Sequence, residues 1–221
     1  MVTLEEIVLS LEFEEVKRTL RTCDEGQVQS LLEIAGPLIG AKAVYEICYV
    51  DEKLEDSVVV EGVCLRSRVL RKNLDKVGRV FPYVVTIGKR LEEKADDTMD
   101  LLEKYYLDTI GNIALSKARR CLEDHLSSKF AIDGLSYMSP GSLEDWPIEE
   151  QRSLFNILKG VDVAIGVSLT ESLLMIPRKS ISGIYFPTEI QFYSCQLCPR
   201  KNCVGRKAPY NENLAKKYGI C

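Results

Sequence analysis

Apolar residues four apart at Val16 and Leu20, then three and four apart at Val28, Leu31, Leu32 and Ala35, predict two short amphipathic helices. Asp24-Glu25-Gly26 separates them, and Gly36-Pro37 ends the second. From 43 to 85 the pattern changes to short β-branched and aromatic runs at 44–50, 58–60 and 80–85, which read as strands. After Gly88 a long helical stretch follows, with Leu102, Tyr105, Tyr106, Ile110, Ile113, Ala114, Cys121 and Leu122 on one face. It is either one helix or two meeting near Gly111. A turn at Ser139-Pro140-Gly141 precedes Asp145-Trp146-Pro147, where proline suits the first turn of a new helix with Ile148, Gln151, Phe155 and Leu158 inward. Glu144, Asp145, Glu149 and Glu150 then meet the positive end of that helix dipole. Residues 167–176 and 180–186 read as an antiparallel hairpin joined through Pro177-Arg178-Lys179.

These elements predict an α+β fold, an antiparallel sheet with long helices, in which 1–190 form one domain and 191–221 a cysteine-rich tail. A chain of 221 residues, 46% hydrophobic and 28% charged, is long enough for one substantial core and a small appendage. Basic residues number 29 and acidic ones 33, and no Lys/Arg block has the density that phosphate backbones require, which argues against nucleic acid as a partner. Acidic residues interrupt the apolar ones after Met1, and there is no basic leader, so neither a signal peptide nor a membrane span is expected; the expected location is cytoplasmic.

In a reducing compartment the eight cysteines read as thiols or metal ligands rather than disulfides. Cys195-x-x-Cys198-x-x-x-x-Cys203 and the final Cys221 place four of them in the last 27 positions, a candidate metal set. Four thiolates suit zinc or a 4Fe–4S cluster equally, and spacing alone does not separate the two. Lys201, Arg206 and Lys207 either offset thiolate charge there or form a solvated surface. Cys23, Cys48, Cys64 and Cys121 stand among apolar neighbours and read as small buried hydrophobes. The single histidine, His125, has no ligating partner that spacing forces against it, and reads as solvated or satisfied in the core.

The run Ser139-Pro140-Gly141, Asp145-Trp146-Pro147, Leu169-Thr170-Glu171-Ser172, Met175, Pro177, Ser180, Ser182-Gly183 and Tyr185-Phe186 resembles the activation domain of vitamin B12-dependent methionine synthase. A weaker similarity reaches upstream through 84–88 and 91–93, so about half of the chain is covered. The resemblance implies a domain that holds S-adenosylmethionine over a corrinoid, so that oxidised cobalamin is reduced and remethylated. With no methyltransferase or corrinoid module recognisable in the sequence, it implies an accessory protein acting on a separate corrinoid-binding methyltransferase or corrinoid protein. The alternative is a non-catalytic docking module with a structural zinc tail. Reductive reactivation needs a low-potential electron, which favours the 4Fe–4S reading of the tail. No catalytic residue is implied, since such chemistry belongs to the cofactors.

Residue by residue, the resemblance places Tyr137 where the family has a donor-binding arginine, Ser142 at its tyrosine, and Ser116 near its helical glutamate. Tyr193 matches a ligand-contacting tyrosine. Replacing the arginine and glutamate removes a carboxylate clamp and a counter-charge, which weakens S-adenosylmethionine binding. The backbone of Ser139, Pro140 and Gly141 either contacts the ligand or only positions the next helix. The 169–172 and 182–183 residues read as hairpin packing.

Overall fold

Strand β6 (Arg79–Thr86) is buried at every position after its first, as a strand paired on both sides and covered on both faces must be. The computed structural model describes residues 1–203 and 205–220. Along β6 run β2 (Lys42–Tyr45), β3 (Cys48–Lys53) and β10 (Ser180–Pro187), all antiparallel to it. β1 (Val2–Leu4) adds to β2, β4 (Ser57–Val60) and β5 (Val63–Arg66) continue outward from β3, and β7 (Leu135–Met138) pairs with β10. The result is an eight-stranded antiparallel sheet.

Period-two alternation decides what each face meets. Phe81, Tyr83 and Val85 of β6 enter one cluster with Val16, Val28, Leu107, Ile110 and Leu122, from α1 (Phe13–Leu20), α2 (Glu25–Ala35) and α5 (Leu101–Phe130). Val80 and Val84 point the other way. Val80 joins Ile184, Phe186, Trp146 and Leu70 of α3 (Arg68–Asn73), while Val84 joins Leu154 and Val161 of α6 (Gln151–Ile157) and α7 (Val161–Ile165). α4 (Arg90–Asp97) precedes α5 and buries Leu91 and Ala95 in the first cluster. The tail packs here too: Phe192, Leu197 and Ala215 of α8 (Glu212–Tyr218) are buried in the cluster around Trp146. Among the described residues no helix is long and apolar enough to cross a membrane.

Several local expectations change. The stretch after Gly88 is two helices, but they meet at 98–100; α5 runs unbroken through Gly111, which is buried under Lys179, whose Cε lies 3.3 Å from where a Cβ would stand. Leu102 and Tyr105 are 50% and 59% exposed rather than on the buried face. Residues 44–50 form parts of two strands, because the chain breaks its pairing at Glu46-Ile47. The long hairpin is not formed among the described residues: β8 (Ser168–Leu169) pairs with β9 (Met175–Ile176), and β10 leaves them to join the large sheet. Asp145 serves a different helix from the one expected. Its carboxylate accepts from Ser67 Oγ at 2.6 Å and Val69 N at 2.9 Å, capping α3.

β10 lies between β6 and β7, and Gly183 is a point of close approach. A Cβ there would fall 2.5 Å from the Met138 carbonyl oxygen and 2.9 Å from both Ser139 Oγ and the Tyr83 hydroxyl. Only a residue without a side chain admits those groups. Gly183→Ala is therefore expected to cost about 2 kcal/mol, read as a lower urea midpoint at unchanged slope; an unchanged midpoint would show that the approach is looser than described.

His125 is satisfied by Tyr45, whose hydroxyl lies 3.2 Å from Nε2 while accepting from Lys129 Nζ at 2.9 Å. With Lys129 as its donor, the tyrosine is left to donate to a neutral imidazole. Burial, and then the Lys129 charge, hold the His125 pKa below its ordinary 6.5. The unfolded chain therefore takes up this proton first as pH falls, so stability is full above about 6.5 and declines below it until the folded imidazole also titrates. Unfolding measured between roughly pH 7.5 and 5.5 should show this decline, within the one-proton limit of about 1.4 kcal/mol per pH unit. His125→Gln should flatten it; a persisting slope would assign it to other groups.

Candidate functional site

The antiparallel register sets Tyr137 of β7 opposite Tyr185 of β10, and Tyr185 opposite Phe81 of β6. Tyr185 is fully buried, with its ring 4.5 Å from that of Tyr83 and 5.6 Å from that of Tyr137. Into this group of phenols α5 inserts Arg119, itself only 7% exposed. Its guanidinium donates to the Tyr185 hydroxyl and to Glu123 Oε2, both at 2.7 Å, and stacks 4.3 Å from the Tyr137 ring. Burial alone would lower the Arg119 pKa, but the phenols of Tyr185, Tyr137 and Tyr83 and the Glu123 carboxylate outweigh it, so the group stays charged. Burial likewise pushes the Tyr185 and Tyr83 phenols up, keeping them neutral. The Tyr83 hydroxyl and Ser139 Oγ are buried without a well-formed hydrogen bond among the described residues.

Beyond Met138 the chain makes its turn. Ser142 N donates to Ser139 O at 3.1 Å, Gly141 N to Trp146 O at 2.7 Å, and Ser142 Oγ to Ser139 O at 2.6 Å. Gly141 has φ 79°, a conformation that favours glycine. Pro140 is buried while Gly141 and Ser142 are exposed, so the turn is anchored at its proline and presents bare backbone at its tip.

The tail returns to this turn. Ser194 Oγ lies 3.5 Å from Ser142 Oγ, which brings Tyr193 to the same neighbourhood. Arg206 holds the cysteine loop: its guanidinium donates to the carbonyls of Cys195 at 3.0 Å, Cys198 at 3.2 Å and Ala208 at 3.2 Å, and to that of Arg200. Next to it, Lys207 N donates to Cys195 Sγ at 3.4 Å, and Lys207 Nζ reaches the Tyr137 hydroxyl at 2.5 Å and lies 5.1 Å from its ring. Of the predicted ligand residues, Tyr137 leads directly into the turn formed by Ser139, Pro140 and Gly141, and Tyr193 immediately precedes Ser194, which meets that turn. Ser116 is exposed on α5, three residues before Arg119.

Three members of the predicted metal set lie within the described residues. Cys195 and Cys198 are partly buried, Cys203 is exposed, and Cys221 lies outside the described residues. Among the described residues no three His, Cys, Asp or Glu side chains are grouped closely enough to hold a metal ion. The donors that bind the loop's carbonyls belong to Arg206. Two clefts lie away from the turn, one of about 260 Å³ between α4 and α5 beside Arg178, and one of about 290 Å³ beside Ile7 and Leu32.

Arg119 and the reach of Lys207 to Tyr137 were not foreseen from the sequence. The spacing of Arg119 and Glu123 allows an ion pair on a helix, but their common partner Tyr185 is 66 residues from Arg119 along the chain.

Residues 142–205 match the family model described as vitamin B12 dependent methionine synthase, activation domain. No curated protein sequence is significantly similar to the chain. The crystal structure of the MetH reactivation domain bound to AdoHcy aligns with 84% of this chain and 72% of its own, at 15% identity and a TM-score of 0.50. The chain therefore has the fold of the MetH reactivation domain and carries, over residues 142–205, the sequence pattern of the vitamin B12-dependent methionine synthase activation domain.

Proposed function

We propose that this chain is an accessory reactivation protein for a cobalamin-dependent methionine synthase or a related corrinoid methyltransferase, and that it holds S-adenosylmethionine against the turn at Ser139, Pro140 and Gly141. The observation that carries this reading is the convergence of that turn with Tyr137, Tyr193 and the tail, in a fold whose solved counterpart is bound to AdoHcy, the demethylated form of the same ligand. A corrinoid carried by the partner would supply the redox and methyl-accepting chemistry, with its electron drawn from an external reductant.

The chain's own part is binding and alignment. Gly141 is exposed, and since Ile148 packs where its Cβ would stand, a ligand meets its backbone from the opposite, solvent side. Tyr193, set beside the Ser142–Ser194 contact, contributes an aromatic wall with a polar end. Beneath them the Arg119–Glu123–Tyr185 network fixes Tyr137. The tail serves as the strap that carries Tyr193 and Lys207 to the site.

The test is a reactivation assay with a corrinoid methyltransferase trapped as cob(II)alamin, S-adenosylmethionine and a reductant. The chain should accelerate loss of the cob(II)alamin absorbance by at least about tenfold, and Tyr193→Ala should remove most of that gain. An identical rate with and without the chain would reject reactivation, and binding to the partner without acceleration would leave a docking module.

A further inference from the structure

We propose that Lys207 is the anion-binding group of this site and selects adenosyl ligands that carry a free carboxylate. This rests on the adenosyl-ligand reading above and deepens it.

Two cations flank Tyr137, and they differ in what neutralises them. Arg119 is buried and already paired with Glu123 at 2.7 Å. Lys207 is exposed and, among the described residues, forms no ion pair. Its ammonium has three N–H donors, of which the Tyr137 hydroxyl takes one. The remaining donors are available to a ligand beside the turn.

The ammonium is also placed in advance. Lys207 N is tied to Cys195 Sγ, and the preceding Arg206 is bonded to four backbone carbonyls, so the main chain at this point is held on both sides of the lysine's own bond. The side chain then spans from the cysteine loop to Tyr137, ending at its hydroxyl. Little further ordering is needed when an anion arrives, and a carboxylate accepting from an ammonium forms a charge-assisted hydrogen bond. The amino-acid end of an adenosyl ligand supplies such a carboxylate. A ligand that shares its adenosine and sulfur but lacks that end does not.

The experiment compares calorimetric titrations of the full chain with S-adenosylhomocysteine and with 5′-methylthioadenosine, an adenosyl thioether without a carboxylate. S-Adenosylhomocysteine should bind about tenfold more tightly, equivalent to about 1.4 kcal/mol. Lys207→Met should bring its Kd to that of methylthioadenosine while leaving methylthioadenosine unchanged, and Lys207→Arg should restore the difference. Equal affinities in the unmodified chain, or equal weakening of both ligands by Lys207→Met, would overturn the assignment while leaving the adenosyl site standing. Failure of both compounds to bind would overturn the adenosyl reading and this assignment with it.

Discussion

A guanidinium buried between a helix and a sheet must be compensated where it lies, and Arg119 imposes that demand on everything around the turn. Glu123, one helical turn away, provides the counter-charge, and the Tyr185 hydroxyl takes a second hydrogen bond. Tyr185 can do so because β10 runs between β6 and β7 in a register that points its odd-numbered side chains at α5. The same crossing leaves no room for a Cβ at Gly183 and seats Ser139, the first residue of the turn, against it. Tyr137 lies over the guanidinium with its hydroxyl exposed to the tail, so the buried charge and the surface site share one aromatic ring.

The parts of this arrangement that local pattern encodes were legible. The breaks at Asp24 and Gly36, the apolar run that became β6, and the turn at Ser139-Pro140-Gly141 all follow from propensity and period. The chain resembled the activation domain through 139–186, and both the fold and the match over 142–205 agree with that. Elements set by distant partners were not legible. Residues 167–176 and 180–186 look like the arms of one hairpin, yet β10 gains more by pairing with β6 and β7, and sequence adjacency carries no information about that choice. Asp145 sits at the start of one helix and caps another, because Ser67 and Val69 come within reach only after folding.

The electrostatics of the site shift accordingly. Placing Tyr137 at the arginine of the related family implied a loss of positive charge, but cations reach that residue from two other segments, α5 and the tail. One is neutralised by its helix partner and serves the fold; the other forms no ion pair among the described residues. The tail is thus continuous with the site in structural terms: Phe192, Leu197 and Ala215 anchor it in the core around Trp146, and the loop between those anchors returns along the turn.

Hydrogen–deuterium exchange of the full chain with and without S-adenosylhomocysteine tests the central claim most directly, because it reports where a ligand rests without assuming its effect. Protection of amides at 139–142 together with 193–208 is the result that a ligand held between turn and tail predicts. Protection confined to the cleft between α4 and α5, or none at saturating ligand, would contradict it.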